Sequence, residues 1–346
     1  MINIGVLGAG TWGMALARML SVDGCGVTVW SALPREVEDL AKNRVHPNLP
    51  GMAIPDEIVF TGDMAEVCRD KDLLLFAVPS VYVRDTARKA APHIPQGQLI
   101  VDVAKGIEPG TLLTLTGVIE NELQKAGNTT CRLVALSGPT HAEEVALDKP
   151  TAIVSACPDQ EAAERVQDVF MNTCLRVYTN PDILGVELCG ALKNIIALAS
   201  GISIGLGFGD NAKAAIVTRG MVEIARLGRA MGCREETFYG LAGVGDLIVT
   251  ATSVHSRNNR AGILMGQGVK PADAVAKVGM VVEGVNALPA AMELSARYGV
   301  ELPIISAVNQ VVNHGADPAE TVMNLMTREK KPERPGKEER KEGETA

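Results

Sequence analysis

The sequence predicts an α/β chain in which a doubly wound, mostly parallel sheet is followed by an all-helical domain. Three observations carry that reading. Over the first half, short continuous apolar runs alternate with helical stretches, the pattern of strands buried on both faces and covered by helices. Near Pro181 the apolar residues change to helical spacing and keep it to about Met326. Of 346 residues, 47% are hydrophobic but only 3% are aromatic, so small and branched aliphatic side chains must fill the core, which suits a sheet packed between helices.

The elements follow in order. "INIGVLG", "VTVW", "DLLLFAVPS", "QLIVDVAKG", "CRLVALSG" and "TAIVSAC" read as strands, with "WGMALARML" and "VRDTARKAAPHI" among the intervening helices. From "ILGVELCGALKNIIALASGISIGL" onward, glycines and pairs such as Lys270-Pro271 and Asp317-Pro318 punctuate successive helices. The expected division is a dinucleotide-binding domain over 1–184 and a helical substrate domain over 185–326. Residues 327–346 are expected to form a disordered tail, nearly neutral with seven basic and six acidic residues.

Composition also limits function. The net charge is −8, and no basic stripe of a nucleic-acid binder is present. An anionic ligand must therefore be caught by local cations or helix N-termini. Seven scattered cysteines without C-x-x-C spacing read as reduced thiols of a cytoplasmic protein. No signal peptide is read before the first strand, no apolar run is read as reaching the about 20 residues of a membrane span, and no ligand spacing suggests a metal site.

The first strand runs into "GVLGAGTWGMAL". Gly8 permits the sharp turn, Gly10 lets backbone approach a pyrophosphate, and Gly13 lets the helix pack close to the sheet. The strand–turn–helix context makes this a dinucleotide-binding, Rossmann-type turn. No carboxylate stands at the end of the second strand, the position that grips the adenosine ribose of NAD. Arg35 could reach the 2′-phosphate of NADP or be a solvated first-turn residue, so NAD and NADP both stay open, with a slight lean to NADP.

Four later stretches carry chemistry-bearing side chains. "VDVAKGIE" places Lys105, and "LSGPTHAEEV" places Gly138 and Thr140, at carboxyl ends of strands, where open parallel sheets bind ligands. "VELCGALKNIIAL" sets Lys193 and Asn194 in an apolar helix, and "LAGVGDLIVTATSVHSRNNRAG" supplies Asp246, Thr250, Ser256, Arg257 and Asn258. Each has a plainer reading: Lys193 could snorkel out of the core, Asp246 could be a helix N-cap, Arg257 and Lys105 could be solvated, and the Gly-Pro-Thr turn could be ordinary. His141 reads more readily as structural than as an acid–base group.

Together, "GAGTWG", "FAVPS", "VAKGIE", "SGPTHAEE", "ELCGALKNIIA", "GVGDL", "TSVHSRN" and "VVEGV" resemble, in order and rough spacing, the bacterial NAD(P)-dependent glycerol-3-phosphate dehydrogenase family, from Ile2 to about Met326. The resemblance implies reversible interconversion of dihydroxyacetone phosphate and sn-glycerol 3-phosphate, the backbone of membrane phospholipids. It implies that Lys193 is the catalytic proton acceptor in alcohol oxidation, with Lys105, Asp246, Thr250 and Asn194 the other polar groups at the reacting carbon. By the same resemblance Gly138, Thr140, Ser256, Arg257 and Asn258 contact substrate. Thr11, Trp12, Lys105, Ala142, Arg257, Val281 and Glu283 join Gly8, Gly10, Gly13 and Arg35 against the cofactor. Family members are commonly dimeric, so a homodimer is expected.

Two departures are visible. Ala32 stands where bacterial members often carry Arg or His, which bears on NADP preference, and Thr11 replaces a common Ser. Two rival readings share the architecture or the dinucleotide turn: a β-hydroxyacid or ketopantoate-type dehydrogenase, which would need a carboxylate site and no "GVGDL…SRN", and a non-catalytic NAD(P) sensor, which could dispense with both lysines.

Overall fold

The computed structural model describes residues 1–333. The part of the expected disordered tail from 334 to 346 lies outside the described residues. Eight strands form one sheet: β1 (Asn3–Leu7), β2 (Gly26–Trp30), β3 (Val59–Thr61), β4 (Leu73–Phe76), β5 (Leu99–Asp102), β6 (Arg132–Ser137), β7 (Thr151–Ala156) and β8 (Leu175–Asn180). Their order is β3-β2-β1-β4-β5-β6-β7-β8. All pairs are parallel except β6–β7. The helices of this half are α1 (Thr11–Val22), α2 (Pro34–Asn43), α3 (Met64–Cys68), α4 (Val83–Ala90), α5 (Leu115–Lys125), α6 (Ala142–Val145) and α7 (Gln160–Phe170).

The strand order reverses between β1 and β4, which opens the crevice where doubly wound sheets bind ligands. Two strands were not read from the sequence. β3 has three residues and pairs only with β2 at the sheet edge. β8 alternates, with Leu175 and Val177 buried and Arg176 and Tyr178 exposed. Its edge position therefore shows a period of two, not a continuous apolar run.

After β8 the chain is helical: α8 (Ile183–Gly205), α9 (Asp210–Ala230), α10 (Glu235–Phe238), α11 (Asp246–Thr252), α12 (Arg257–Gly266), α13 (Pro271–Val278), α14 (Glu283–Asn286), α15 (Leu288–Tyr298), α16 (Pro303–His314) and α17 (Pro318–Met326). Contrary to the expectation that no segment reaches spanning length, α8 is long and apolar enough to cross a membrane by length and composition. However, 89% of its apolar window is buried inside the protein, which makes it the core helix of this half. Its mostly apolar sequence reflects burial on every side, not contact with lipid.

What lets α12 lie directly on α8 is a double row of glycines. A Cβ on Gly201 would sit 2.2 Å from the Asn259 carbonyl oxygen, and one on Gly205 2.2 Å from that of Ile263. Reciprocally, a Cβ on Gly262 would sit 2.2 Å from the Leu198 oxygen, and one on Gly266 2.3 Å from that of Ile202. The two backbones are therefore in contact, and α12 enters the cleft beside Lys193. An ordinary Gly→Ala change inside a helix gains ~1 kcal/mol of propensity. Here the sign should reverse: Gly201→Ala is expected to cost ~1–3 kcal/mol, the range for overpacking. Denaturant unfolding would read this, and a stabilised variant would contradict the contact.

Candidate active site

The glycine turn is built at the reversal point of the sheet. Gly8 adopts φ +122° and its missing Cβ would lie 2.9 Å from the Ala77 backbone just beyond β4, so only glycine fits. A Cβ on Gly13 would meet the Gly8 carbonyl oxygen at 2.2 Å, which is how closely α1 sits on the turn. At Gly10, by contrast, a Cβ would meet nothing within 4 Å, so the turn faces open space. The Thr11 hydroxyl, at the first residue of α1, is buried with no hydrogen-bond partner. An open backbone cradle, a helix N-terminus and an orphaned hydroxyl suit the pyrophosphate of a dinucleotide. Trp12 and Ala142 are half-buried and pack on the core of the sheet domain beside this turn.

The lysines converge from different elements on one carboxylate. Lys193 Nζ, in the middle of α8, donates to Asp246 Oδ1 at 2.8 Å and to Thr250 Oγ1 at 2.5 Å. Lys105 Nζ, just past β5, donates to Asp246 Oδ2 at 2.6 Å and to the Gly138 carbonyl at 3.1 Å. Thr250 Oγ1 donates to the Asp246 carbonyl at 2.7 Å. Lys193 and Asp246 are buried, with side chains 6% and 1% exposed, and Lys105 reaches them from the partly open side at 18%. Asp246 arrives by a single π-helical turn, Leu241–Gly245, that runs straight into α11. Gly243 makes that turn possible, since a Cβ there would lie 2.1 Å from the Phe238 oxygen. Asp246 is thus a partner of two ammoniums; the N-cap of α11 is Gly245, not Asp246.

A polar lattice surrounds this centre. Asn194 Nδ2 donates to the Gly190 carbonyl at 3.0 Å, and its Oδ1 accepts from Asn258 Nδ2 at 2.8 Å. Asn258 Oδ1 in turn accepts from the Gly284 amide at 2.8 Å, so Asn194 and Asn258 tie α8, α12 and α14 together. Ser256, 4% exposed, caps α12 by accepting from the Asn259 amide at 3.2 Å. Arg257, the first residue of α12, is half-buried and close enough to act electrostatically on Lys193. Thr140 Oγ1 donates to the Gly138 carbonyl at 3.2 Å. Val281 is half-buried beside Glu283. Glu283 accepts from the Ser80 amide at 3.1 Å and from Ser80 Oγ at 2.5 Å, a bond across the two halves. Ser80 was not singled out in the sequence, although "FAVPS" placed it at the carboxyl end of β4. Arg35 projects into solvent, 92% exposed, with Asp39 at 3.8 Å. His141 packs 5.8 Å from the His255 ring, and its Nε2 is buried without a partner.

The electrostatics follow from burial, with one carboxylate set against several cations. Burial lowers the Lys193 pKa most; Asp246 opposes this, while Lys105 and Arg257 lower it further, to about 7. Burial would raise Asp246, but the two ammoniums outweigh it and hold the carboxyl below its usual value. The result is a fixed anion beside a buried lysine that can hold or release a proton near neutrality, the property required of a general acid–base group.

A dinucleotide turn at the switch point of the sheet, with such a lysine at the facing helical domain, defines a two-domain nicotinamide-dependent dehydrogenase. The model of the NAD-dependent glycerol-3-phosphate dehydrogenase N-terminus matches residues 3–163, and that of its C-terminus residues 182–323. The chain is 66% identical to glycerol-3-phosphate dehydrogenase (NAD(P)+) 2 of Lactobacillus delbrueckii subsp. bulgaricus, covering 96% of this chain and 99% of that protein. It is 48% identical to the glycerol-3-phosphate dehydrogenase (NAD(P)+) of Agathobacter rectalis, over 96% and 97% of the two chains. The crystal structure of glycerol-3-phosphate dehydrogenase from Coxiella burnetii is similar with a TM-score of 0.90 at 34% identity, over 94% and 99% of the two chains. The chain belongs to the NAD(P)-dependent glycerol-3-phosphate dehydrogenase family.

Because Asp246 is the one group shown to hold Lys193 up, Asp246→Asn should push the Lys193 pKa below that of the native protein. An NMR titration of the lysine side chain would read this; an unchanged or higher midpoint would contradict the ion-pair account.

Proposed function

We propose that the protein catalyses reversible hydride transfer between NAD(P)H and dihydroxyacetone phosphate, giving sn-glycerol 3-phosphate for phospholipid synthesis in the cytoplasm. The observation that carries this reading is the Lys193–Asp246–Lys105 cluster, buried where the helical half meets the crevice of the sheet domain. The division of labour we propose is dinucleotide binding by 1–184 and substrate binding with proton transfer by 185–326.

The cofactor, when bound, supplies or takes the hydride at its nicotinamide ring. The turn of Gly8, Gly10, Thr11 and Gly13 would hold its pyrophosphate, with Trp12, Ala142, Val281 and Glu283 along its length. In ketone reduction the Lys193 ammonium donates a proton to the developing alkoxide, and in alcohol oxidation the neutral amine takes it back. Lys105 adds positive charge beside the carbonyl oxygen, which favours charge developing there. Asp246 and Thr250 fix the direction of the Lys193 Nζ, and Asn194 and Asn258 form the polar wall behind it. Arg257, at the N-terminus of α12 and flanked by Ser256, is the group best suited to a substrate phosphate, since its planar fork can donate two bonds to one anion. The Glu283–Ser80 bond would join the halves over the reacting centre and help exclude water. A hydroxyacid dehydrogenase would need a carboxylate site in place of that phosphate clamp. A sensor without catalysis would have no use for a lysine tuned to neutrality.

Three outcomes are expected. Lys193→Ala should lower turnover by at least the ~10²–10⁴-fold that positioned proton transfer contributes, with the NADH dissociation constant unchanged. Turnover near the native value would sink the assignment. Arg257→Ala should mainly raise the KM for dihydroxyacetone phosphate, with a smaller loss of kcat, since remote binding orients the carbonyl; an unchanged KM would remove the phosphate from Arg257. Because kcat/KM reports the free enzyme, reduction should fall as pH rises through about 7, where Lys193 loses its proton, and oxidation should rise over the same interval. Parallel profiles in both directions would exclude Lys193 as the proton-exchanging group.

A further inference from the structure

We propose that Glu36 selects the cofactor: held at the end of β2 by Ser31, its carboxylate accepts from the adenosine ribose hydroxyls and repels a 2′-phosphate, so the protein prefers NADH to NADPH. The inference rests on the dinucleotide reading above and specifies its adenosine end.

In the sequence, Arg35 is the candidate for this position and no acid stands at the strand end. The folded loop reverses the two. Arg35 points away from the protein, and its ion-pair partner is Asp39, one helical turn on, itself exposed. Glu36, its neighbour in the first turn of α2, is half-buried and turned back toward the strand. The Ser31 hydroxyl donates a short hydrogen bond to Glu36 Oε2, and Ser31 Oγ accepts from the Leu33 amide at 3.1 Å. Ser31 is itself anchored, 6% exposed, with its amide bonded to the Thr61 carbonyl of β3 at 3.2 Å. A residue six positions past the strand thus places its carboxylate where NAD-binding sheets carry an acid on the strand itself.

A second observation places the loop that carries this carboxylate beside the dinucleotide turn. His46 is 6% exposed, and its Nδ1 accepts from the Asn48 amide at 3.2 Å, so its other nitrogen carries the proton. That imidazole reaches toward the Ala9 backbone and feels the Glu36 charge. The geometry agrees: β1 and β2 are parallel neighbours with Leu7 beside Trp30, and the Gly8 amide donates to the Trp30 carbonyl at 3.0 Å, so the phosphate cradle and the Ser31–Glu36 loop leave adjacent strand ends. A ribose diol offers a carboxylate two charge-assisted hydrogen bonds. A 2′-phosphate would meet the same carboxylate as a second anion. The nearby cations do not relieve this: Arg44 is engaged by the Pro55 and Ile58 carbonyls, and position 32 is alanine.

The test is equilibrium binding, without turnover. Dissociation constants for NADH and NADPH would be measured by calorimetry on the native protein and on Glu36→Gln, Glu36→Asp and Ser31→Ala, with thermal unfolding confirming that each variant is folded. The native protein is expected to bind NADH at least tenfold more tightly. Glu36→Gln should shrink that ratio at least fivefold, chiefly by tightening NADPH. Ser31→Ala should shrink it in part, and Glu36→Asp should keep NADH preferred. A native protein that binds both cofactors equally, or a Glu36→Gln variant with the native ratio, overturns the proposal and leaves the dehydrogenase reading standing. A native protein that binds neither dinucleotide overturns both.

Discussion

The arrangement of the whole molecule turns on one carboxylate shared by two lysines. Asp246 is fully buried, and a buried anion without partners would neutralise itself or unfold its surroundings. Its two oxygens are instead taken by Lys193 from α8 and Lys105 from the loop after β5. The sheet half and the helical half therefore meet at an ionic joint as well as an apolar one. The sharing has a chemical consequence, since one negative charge cannot fully stabilise two ammoniums. The more deeply buried of them, Lys193, is left able to exchange its proton near neutrality. Burial does most of this, and the second ammonium adds to it.

Such a joint works only if the backbone around it is rigid. α8 is surrounded by protein along most of its length, so Lys193 has little freedom in its stem. The glycine rows of α8 and α12 bring two backbones into contact, and the same close approach brings Ser256, Arg257 and Asn258 to the level of Lys193. Within the same half, Gly284 sits so near the Asn194 carbonyl that a Cβ would fall 2.5 Å from it. Glycine thus serves two purposes in this fold. At Gly8 it permits a left-handed backbone; on α8, α12 and α14 it removes side chains that would hold the helices apart.

What the sequence made legible divides along the same physical line. Local rules sufficed for the strand–glycine–helix unit, because its turn geometry is encoded within a few residues. They sufficed for the six buried strands, whose continuous apolar character is independent of partners. A lysine in an apolar helix was noticeable as an anomaly, although burial could be distinguished from snorkelling only once α11 was seen to supply Asp246. β3 and β8 escaped because edge strands need not be apolar on both faces. The contrast between Arg35 and Glu36 escaped for a different reason. Adjacent residues in a first helical turn point in different directions, and only the path of the loop after Trp30 decides which of them faces back to Ser31. Ser80 was invisible as a functional group because its partner, Glu283, lies 203 residues away.

The local charge runs against the charge of the chain. The protein carries −8 overall, yet Lys105 and Lys193 share Asp246 and Arg257 lies within electrostatic reach of Lys193. For the proposed reaction this imbalance couples substrate binding to chemistry. Arg257 is one of the cations that depress the Lys193 pKa. A phosphate dianion seated on Arg257 would cancel that influence, and its own field would favour the Lys193 ammonium. Binding the ketone would thus raise the protonated fraction of the group that must deliver a proton to it, and linkage requires the protonated enzyme to bind the phosphate more tightly in return.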